Sequence, residues 1–372
     1  MQATFSIKQI FADHWAAFLE EHSHIRPIVM TEVEKMIHCG DPANGYHLYY
    51  CHHCKRFLYV PFRCKSRFCC TCGSAYQADR SDSISAKLIN CKHRHIVFTI
   101  PKELRNHLRQ DRNLLNLLFQ AAASTVITWF ASLNKQEHFL PGIICCLHTF
   151  GRDLKWNPHI HMLVSEGACG NCTTWKSVSF FPYVMLRKRW QTTLLVLLEQ
   201  HYGKGAFSSL KSQLYSNNKD GFYVHAKPSN MNRPALVATY ITRYIGRPVM
   251  AQSRITGYDG QMVSFWYQRH EDGKRVDETI PAQEFMERLI IHIQEKYFHT
   301  LRYYGLYAKM HPVSAQLIHF LSRAVVKTRK LCRSWVFRTE LAFHHDPTKC
   351  SCGNYMEYIG VFLPGDLAFA PP

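Results

Sequence analysis

Apolar residues recur at helical spacing through roughly the first 37 positions. Trp15, Phe18 and Leu19 share one face, and the stretch from His22 to Ile28 divides two helices. Between His38 and Gly73 the periodicity gives way to cysteine, aromatic and basic residues among turn formers, the texture of a small metal-stapled module. Residues 75 to 90 read as a helical linker. A strand follows in HIVFTIP, stopped by Pro101, and then a long helix from Lys102 to Lys135 with Leu114, Leu117, Leu118 and Ala121 on one stripe. IICCLHTF (143–150) and HIHMLV (159–164) read as two strands around a polar loop holding Trp156 and Asn157. Beyond them come a helix over 181–201, a short strand over 221–226, and a helix over 234–246 bounded by Pro234, Gly246 and Pro248. Asp272-Gly273 marks a hairpin, and Phe285, Leu289 and Ile293 mark an amphipathic helix from Pro281 to Glu295. This order predicts an α+β fold, a mostly antiparallel sheet covered by helices. The expected division is 1–90, 91–310 and a basic C-terminal region, 311–372.

Composition adds a partner. The 372-residue chain is 47% hydrophobic, enough for a sizeable core, and carries a formal net charge of +18. A surface of that sign attracts polyanions, and nucleic acid is the expected partner, with a merely basic soluble protein as the alternative. No signal peptide is evident at MQATFSIKQI. No stretch reads as reaching the roughly 18–20 apolar residues that span a bilayer, so the expectation is a soluble, cytoplasmic protein without a membrane partner. Fifteen cysteines in that setting argue for metal ligation over disulfides.

The strongest local signal is Cys51-x2-Cys54 followed by Cys69-x2-Cys72, with 14 residues between the pairs. Four thiolates complete a tetrahedral zinc shell, and the metal supplies folding energy that a short segment lacks. Cys39, His47 and Cys64 lie in the same stretch and are candidates to share that site, to complete a second one, or to be buried thiols and a core histidine. Lys65 and Arg67 are among the basic residues interleaved with aromatics here, a composition suited to phosphates and bases.

On the strand PHIHMLV, His159 and His161 are two apart, so both imidazoles leave the same face. Alone this is half a metal site. His148 stands 11 residues earlier, and a hairpin about residues 152–157 brings it opposite one of the two. Asp153 in the loop is the substitute third ligand. Nitrogen donors accept manganese and other transition ions more readily than magnesium, which leaves the ion open. Arg152 and Lys155 in the same loop are candidate phosphate contacts.

In YITRYIG, Tyr240 and Tyr244 are one helical turn apart, interleaved with Arg243 and Arg247. Two core tyrosines would show the same spacing, but the arginines suit a phosphate-facing surface. A phenol beside a metal-bound phosphate can attack it, leaving a phosphotyrosyl enzyme and conserving the bond energy for rejoining.

CKSRFC-x2-CG (64–73), HTFGRDLKWNPHIHMLVSEG (148–167), ATYITRYIGRP (238–248) and the later amphipathic helix followed by LRYYGL (301–306) appear in one order along the chain. In this the chain resembles the rolling-circle insertion-sequence transposases with two tyrosines, members of the HUH endonuclease superfamily. The resemblance implies an HUH-type antiparallel sheet behind a zinc-binding module that recognises transposon-end DNA. It implies His159 and His161 as ligands of Mg or Mn, Tyr240 and Tyr244 as nucleophiles, single-stranded DNA as substrate, and a nucleoid-associated place of action. Cys70 departs from a common proline and Phe68 from a histidine found in some relatives. Cys350-x-Cys352-Gly353 looks like a contracted knuckle, and Cys169-x2-Cys172 like a turn with two thiols. The competing readings are a replication initiator or relaxase using the same chemistry, and a non-catalytic zinc-dependent DNA-binding protein.

Overall fold

A computed structural model of the chain describes residues 5–85, 88–89, 91–225, 249–269, 272–308, 336, 339–340, 346 and 348–366. Its centre is an antiparallel sheet. The strands are β3 (His93–Thr99), β4 (Leu140–Phe150), β5 (Trp156–Cys169), β7 (Val224–His225) and β11 (Leu301–Gly305), in the order β11-β4-β5-β3-β7. A short β6 (Lys176–Ser177) pairs β5 off this path. Period-two alternation sends Ile96, Phe98, Ile160, Met162, Cys145 and Leu147 to one face, where they are buried against helices. Those helices are α5 (Leu114–Ser132) and α6 (Tyr183–Tyr202). Trp190 of α6 sits fully buried there and donates its indole N–H to Thr99 O at 2.8 Å. The opposite face carries the histidines.

The single helix expected over 102–135 is two, α4 (Lys102–Gln110) and α5. Asp111 breaks it: its carboxylate accepts the Asn113 amide at 2.9 Å, a local bond that competes with the helical ladder. Arg112 then turns inward, stacking over Trp156 and donating to Ile293 O at 3.3 Å, and burial lowers its pKa to about 10. By length and composition α5 is apolar enough to cross a membrane, with a mean hydropathy of 1.5, so the expectation that no such stretch exists does not hold. Its apolarity has a packing cause: Leu115, Leu118, Phe119, Ala122 and Val126 are all fully buried in the core. A helix not foreseen from the pattern, α7 (Lys204–Asn217), restarts after Gly203 at φ +84.

A second core joins the two ends of the first 300 residues. α1 (Ile7–Glu21), opened by the Ser6 hydroxyl accepting Gln9 N–H, packs Ile10, Phe11, Trp15 and Phe18 with Val33 of α2 (Pro27–Ile37). The same cluster contains Phe265 of β9 (Met262–Gln268), Ile280 of β10 (Arg275–Pro281) and Phe285 of α8 (Ala282–Ile290). β8 (Ile255–Tyr258) completes that three-stranded sheet. The expected helix to Glu295 stops at Ile290, after which His292 turns into the core. A third small sheet has the order β12-β1-β2, with β1 (Tyr46–Cys51), β2 (Arg56–Pro61) and β12 (Glu357–Phe362) all antiparallel. A helix, α3 (Cys70–Ser85), leads from this module back to the central sheet, where Ile84 packs with Ile144, Cys146 and Leu163.

Candidate metal centre and cysteine clusters

His148 and His159 are directly opposed across the β4–β5 hairpin, and His161 lies two residues on from His159 on the same face. The three rings converge, with the His148 and His161 centroids 4.5 Å apart. His159 Nε2 and His161 Nε2 are 3.0 Å apart. Adjacent ligands about 2.1 Å from an octahedral ion stand about 3.0 Å from each other, so this pair fits a small divalent cation. His159 Nδ1 donates to Asn157 O at 2.6 Å, which leaves Nε2 as a lone pair for the shared space.

His161 Nδ1 faces His95 Nε2 of β3 at 2.9 Å, with the rings nearly parallel. Two proton arrangements satisfy this row. In one, His161 donates through Nδ1 to His95 and offers its Nε2 lone pair beside that of His159, an arrangement that calls for a cation between them. In the other, His95 donates to His161 and His161 to His159. Burial holds His159 below the ordinary histidine range and His161 well below it, helped at His161 by His148, His159 and His95. His95 is lowered to about 4, first by burial and then by His225 and His159. The rings are therefore neutral at pH 7, the form in which imidazole binds metal. Arg105 of α4 adds a positive charge near His159, and its Nε has no hydrogen-bond partner among the described residues. Neither His95 nor Arg105 is flagged by a local motif; sheet order and helix placement bring them in.

Asp153, the substitute ligand, is not in this group; it accepts Lys155 N–H at 3.3 Å inside its own loop. Arg152 and Lys155 are exposed on that loop. Lys65 is exposed, whereas Arg67 is turned inward, donating to Thr300 Oγ1 and to Phe298 O, so its charge is engaged within the fold. Tyr240, Arg243, Tyr244 and Arg247 lie outside the described residues. The last described residue before them, His225, pairs with Val97 of β3 on the histidine face.

The cysteines regroup. Cys51 and Cys54 do not share a shell with Cys69 and Cys72, as spacing suggested. Instead Cys39, Cys64, Cys69 and Cys72 form one cluster and Cys51, Cys54, Cys350 and Cys352 another. The reason is topological: β1 and β2 carry the first knuckle to the far end of the small sheet, while the loop before α3 folds back onto the end of α2. In the first cluster Cys72 Sγ is 3.6 Å from Cys39 Sγ and 3.5 Å from Cys64 Sγ. Tetrahedral zinc with bonds of about 2.3 Å sets its sulfurs about 3.8 Å apart. His47 belongs to neither cluster; its Nδ1 lies 3.3 Å from Tyr358 Oη and its ring packs on Phe62. Cys70 is half-buried with its thiol donating to Met250 O at 3.6 Å, and desolvation pushes that thiol up to about 12; Cys172 is exposed beside a buried Cys169.

The chain is similar in sequence to a class of known proteins, the transposases. A family described as "Putative transposase" matches residues 142–314, and a family described as "Transposase zinc-binding domain" matches residues 10–100. The "Transposase for insertion sequence element IS801" of Pseudomonas savastanoi pv. phaseolicola is 30% identical over 81% of this chain and 76% of its own length. The "Putative transposase y4qJ" of Sinorhizobium fredii is 28% identical over 80% of this chain and 79% of its own. No solved structure matches significantly. The chain belongs to the IS91/IS801 family of insertion-sequence transposases, with an N-terminal zinc-binding domain. Cys39, Cys64, Cys69 and Cys72 all fall inside the zinc-binding match and fit a structural zinc.

Proposed function

We propose that this transposase nicks single-stranded transposon DNA and transfers it through 5′-phosphotyrosine intermediates in rolling-circle transposition. The observation that carries the reading is the His148–His159–His161 group, three imidazoles whose ring nitrogens lie within 4.8 Å of one another on one sheet face, His159 and His161 only 3.0 Å apart.

His159 and His161, with His148, would hold magnesium or manganese. When bound, such an ion polarises a phosphate oxygen and offsets charge as the phosphorus becomes five-coordinate. His159 keeps its lone pair toward that space because Asn157 O takes its other nitrogen's proton. Tyr240 or Tyr244 attacks the phosphorus. The Tyr Oη–P bond forms, the P–O3′ bond breaks, and the departing 3′ oxygen takes up a proton, leaving a free 3′-hydroxyl. The reverse step joins that strand to a new 3′-hydroxyl, and a second tyrosine permits a second strand to be held at the same time. Arg152, Lys155 and Lys65, all exposed, are the DNA contacts of this reading among the described residues, joined by Arg243 and Arg247. It places the protein's action in the cytoplasm, on the nucleoid.

A non-catalytic DNA-binding protein has no use for a cation-ready imidazole group, and an initiator or relaxase is less consistent with relatives named as transposases. The test is incubation of the protein with single-stranded DNA and Mn or Mg, followed by denaturing electrophoresis. A protein–DNA adduct is expected, abolished in the Tyr240→Phe/Tyr244→Phe double variant and in His159→Ala. An adduct that survives in the double variant refutes the nucleophile assignment.

A further inference from the structure

Cys350 and Cys352 lie beyond both matched regions, which end at residues 100 and 314. They nevertheless meet Cys51 and Cys54 in space. Cys352 Sγ is 3.7 Å from Cys51 Sγ, although the two are 301 residues apart in sequence. Cys350 Sγ is 3.9 Å from Cys54 Sγ. Both spacings match the roughly 3.8 Å between sulfurs on tetrahedral zinc and are far from the roughly 2 Å of a disulfide.

The backbone around each pair is shaped in the same way. The residue after Cys54, Lys55, has φ +55, and the residue after Cys352, Gly353, has φ +87. The same turn occurs at Lys65, φ +56, directly after Cys64 of the other cluster. A lysine with positive φ is uncommon and carries a strain cost, so two of them placed directly after clustered cysteines point to a shared constraint. Amide hydrogens are also aimed at the sulfurs: Cys54 N–H at Cys51 Sγ, 3.5 Å, and the Asn354 side-chain amide at Cys352 Sγ, 3.4 Å.

The strand beyond the second pair is fitted to the first. β12 runs antiparallel along β1 from Tyr46↔Phe362 to Tyr50↔Glu357. Tyr46 stacks on Phe362, and Tyr49 packs on Tyr358. His52 pairs with Glu357 beside the cysteines. Gly45 opens β1 at φ +100, and a Cβ there would stand 2.8 Å from Phe362 O, so this glycine leaves room for the C-terminal strand. Without β12 that edge of β1 is open and β1–β2 is a lone hairpin, which is marginal in water.

We propose that Cys51, Cys54, Cys350 and Cys352 bind a second zinc ion, which staples the C-terminal segment onto the N-terminal module. Four soft thiolates favour zinc over magnesium or manganese. The ion closes a loop of some 300 residues, so the zinc-binding module of this chain is complete only when both ends of the chain are present.

The experiment is metal analysis of the full-length protein, purified with reductant and without added metal, for zinc, iron and manganese per chain. Two zinc ions are expected for the wild type and one for Cys350→Ser/Cys352→Ser. In the variant, limited proteolysis is expected to release residues 349–366, which the wild type protects. As the reciprocal variant, Cys54→Ser is expected to lose the same single zinc. Titration of the unfolded protein with a thiol reagent under chelation, without reductant, is expected to find all 15 cysteines free. One zinc in the wild type, iron in place of the second zinc, two thiols missing as a disulfide, or two zincs retained in the C-terminal variant each overturns the proposal. Should that variant not fold, cobalt substitution of the wild type decides: two tetrathiolate equivalents in the visible spectrum support the staple and one refutes it. None of these readouts depends on DNA cleavage.

Discussion

His95 Nε2 and His161 Nδ1 stand 2.9 Å apart on neighbouring strands, joining a residue of the zinc-module match to a residue of the transposase match. A ligand imidazole held through its second nitrogen has its orientation and basicity set by that partner. His95→Ala should therefore weaken Mn binding by about 10–100-fold, the usual effect of losing such a partner. Calorimetric Mn titration measures this, with the thermal midpoint recorded alongside. His95→Gln, whose amide oxygen can accept from Nδ1, should recover much of the affinity. Unchanged Mn affinity in His95→Ala would remove His95 from the proposed metal centre.

Arg94 and Glu166 form an ion pair with side chains only 6% and 7% exposed. The guanidinium also donates to Ser179 O at 2.9 Å and lies over the Phe181 ring. Removing one partner of such a pair strands a buried charge, at a cost of about 3–5 kcal/mol. Glu166→Ala should show that loss in urea unfolding, and Glu166→Gln, which still accepts a hydrogen bond, a smaller one. A loss below about 1 kcal/mol in Glu166→Ala, the range of an exposed pair, contradicts the burial argument.

Two buried histidines predict an acid limit to stability. His292 Nε2 donates to Leu154 O at 2.8 Å, and its Nδ1 accepts from the Thr149 hydroxyl at 3.0 Å. His93 likewise donates to Cys91 O and accepts from the Tyr307 hydroxyl at 2.6 Å. Burial disfavours a second proton on either ring, lowering His93 to about 4 and His292 to about 3. An unfolded histidine titrates near 6.5. Between about 6.5 and these lowered values the unfolded chain binds more protons, so this contribution is complete above about 6.5 and is lost as pH falls toward 4 and 3. The thermal midpoint should drop between pH 7 and pH 5. His292→Gln, which offers one donor and one acceptor without a titrating ring, should show a shallower drop. Equal slopes in the two proteins would exclude His292 as a source.

Much of the central sheet was legible because its signals are local. The alternation in β5 put His159 and His161 on one face, and the polar 152–157 turn brought His148 across from His159. The helical character of the 102–135 stretch was visible, but its division into two helices hung on one side-chain bond at Asp111. Arg67 looked like a DNA contact because it is charged, and only packing beside Thr300 and Phe298 engages it inside the protein.

By itself the sequence determined half-sites: two histidines on one strand, and pairs of cysteines a few residues apart. A spacing of two or four residues constrains side chains within one turn or one strand, where backbone geometry settles their direction. Completing each site needs a group whose position no local spacing carries. Strand order brought His95 to His161, and the β12–β1 pairing brought Cys350 and Cys352 to Cys51 and Cys54. Tertiary structure decided those partners, because only long-range sheet pairing sets the distance between residues 66 or 301 positions apart.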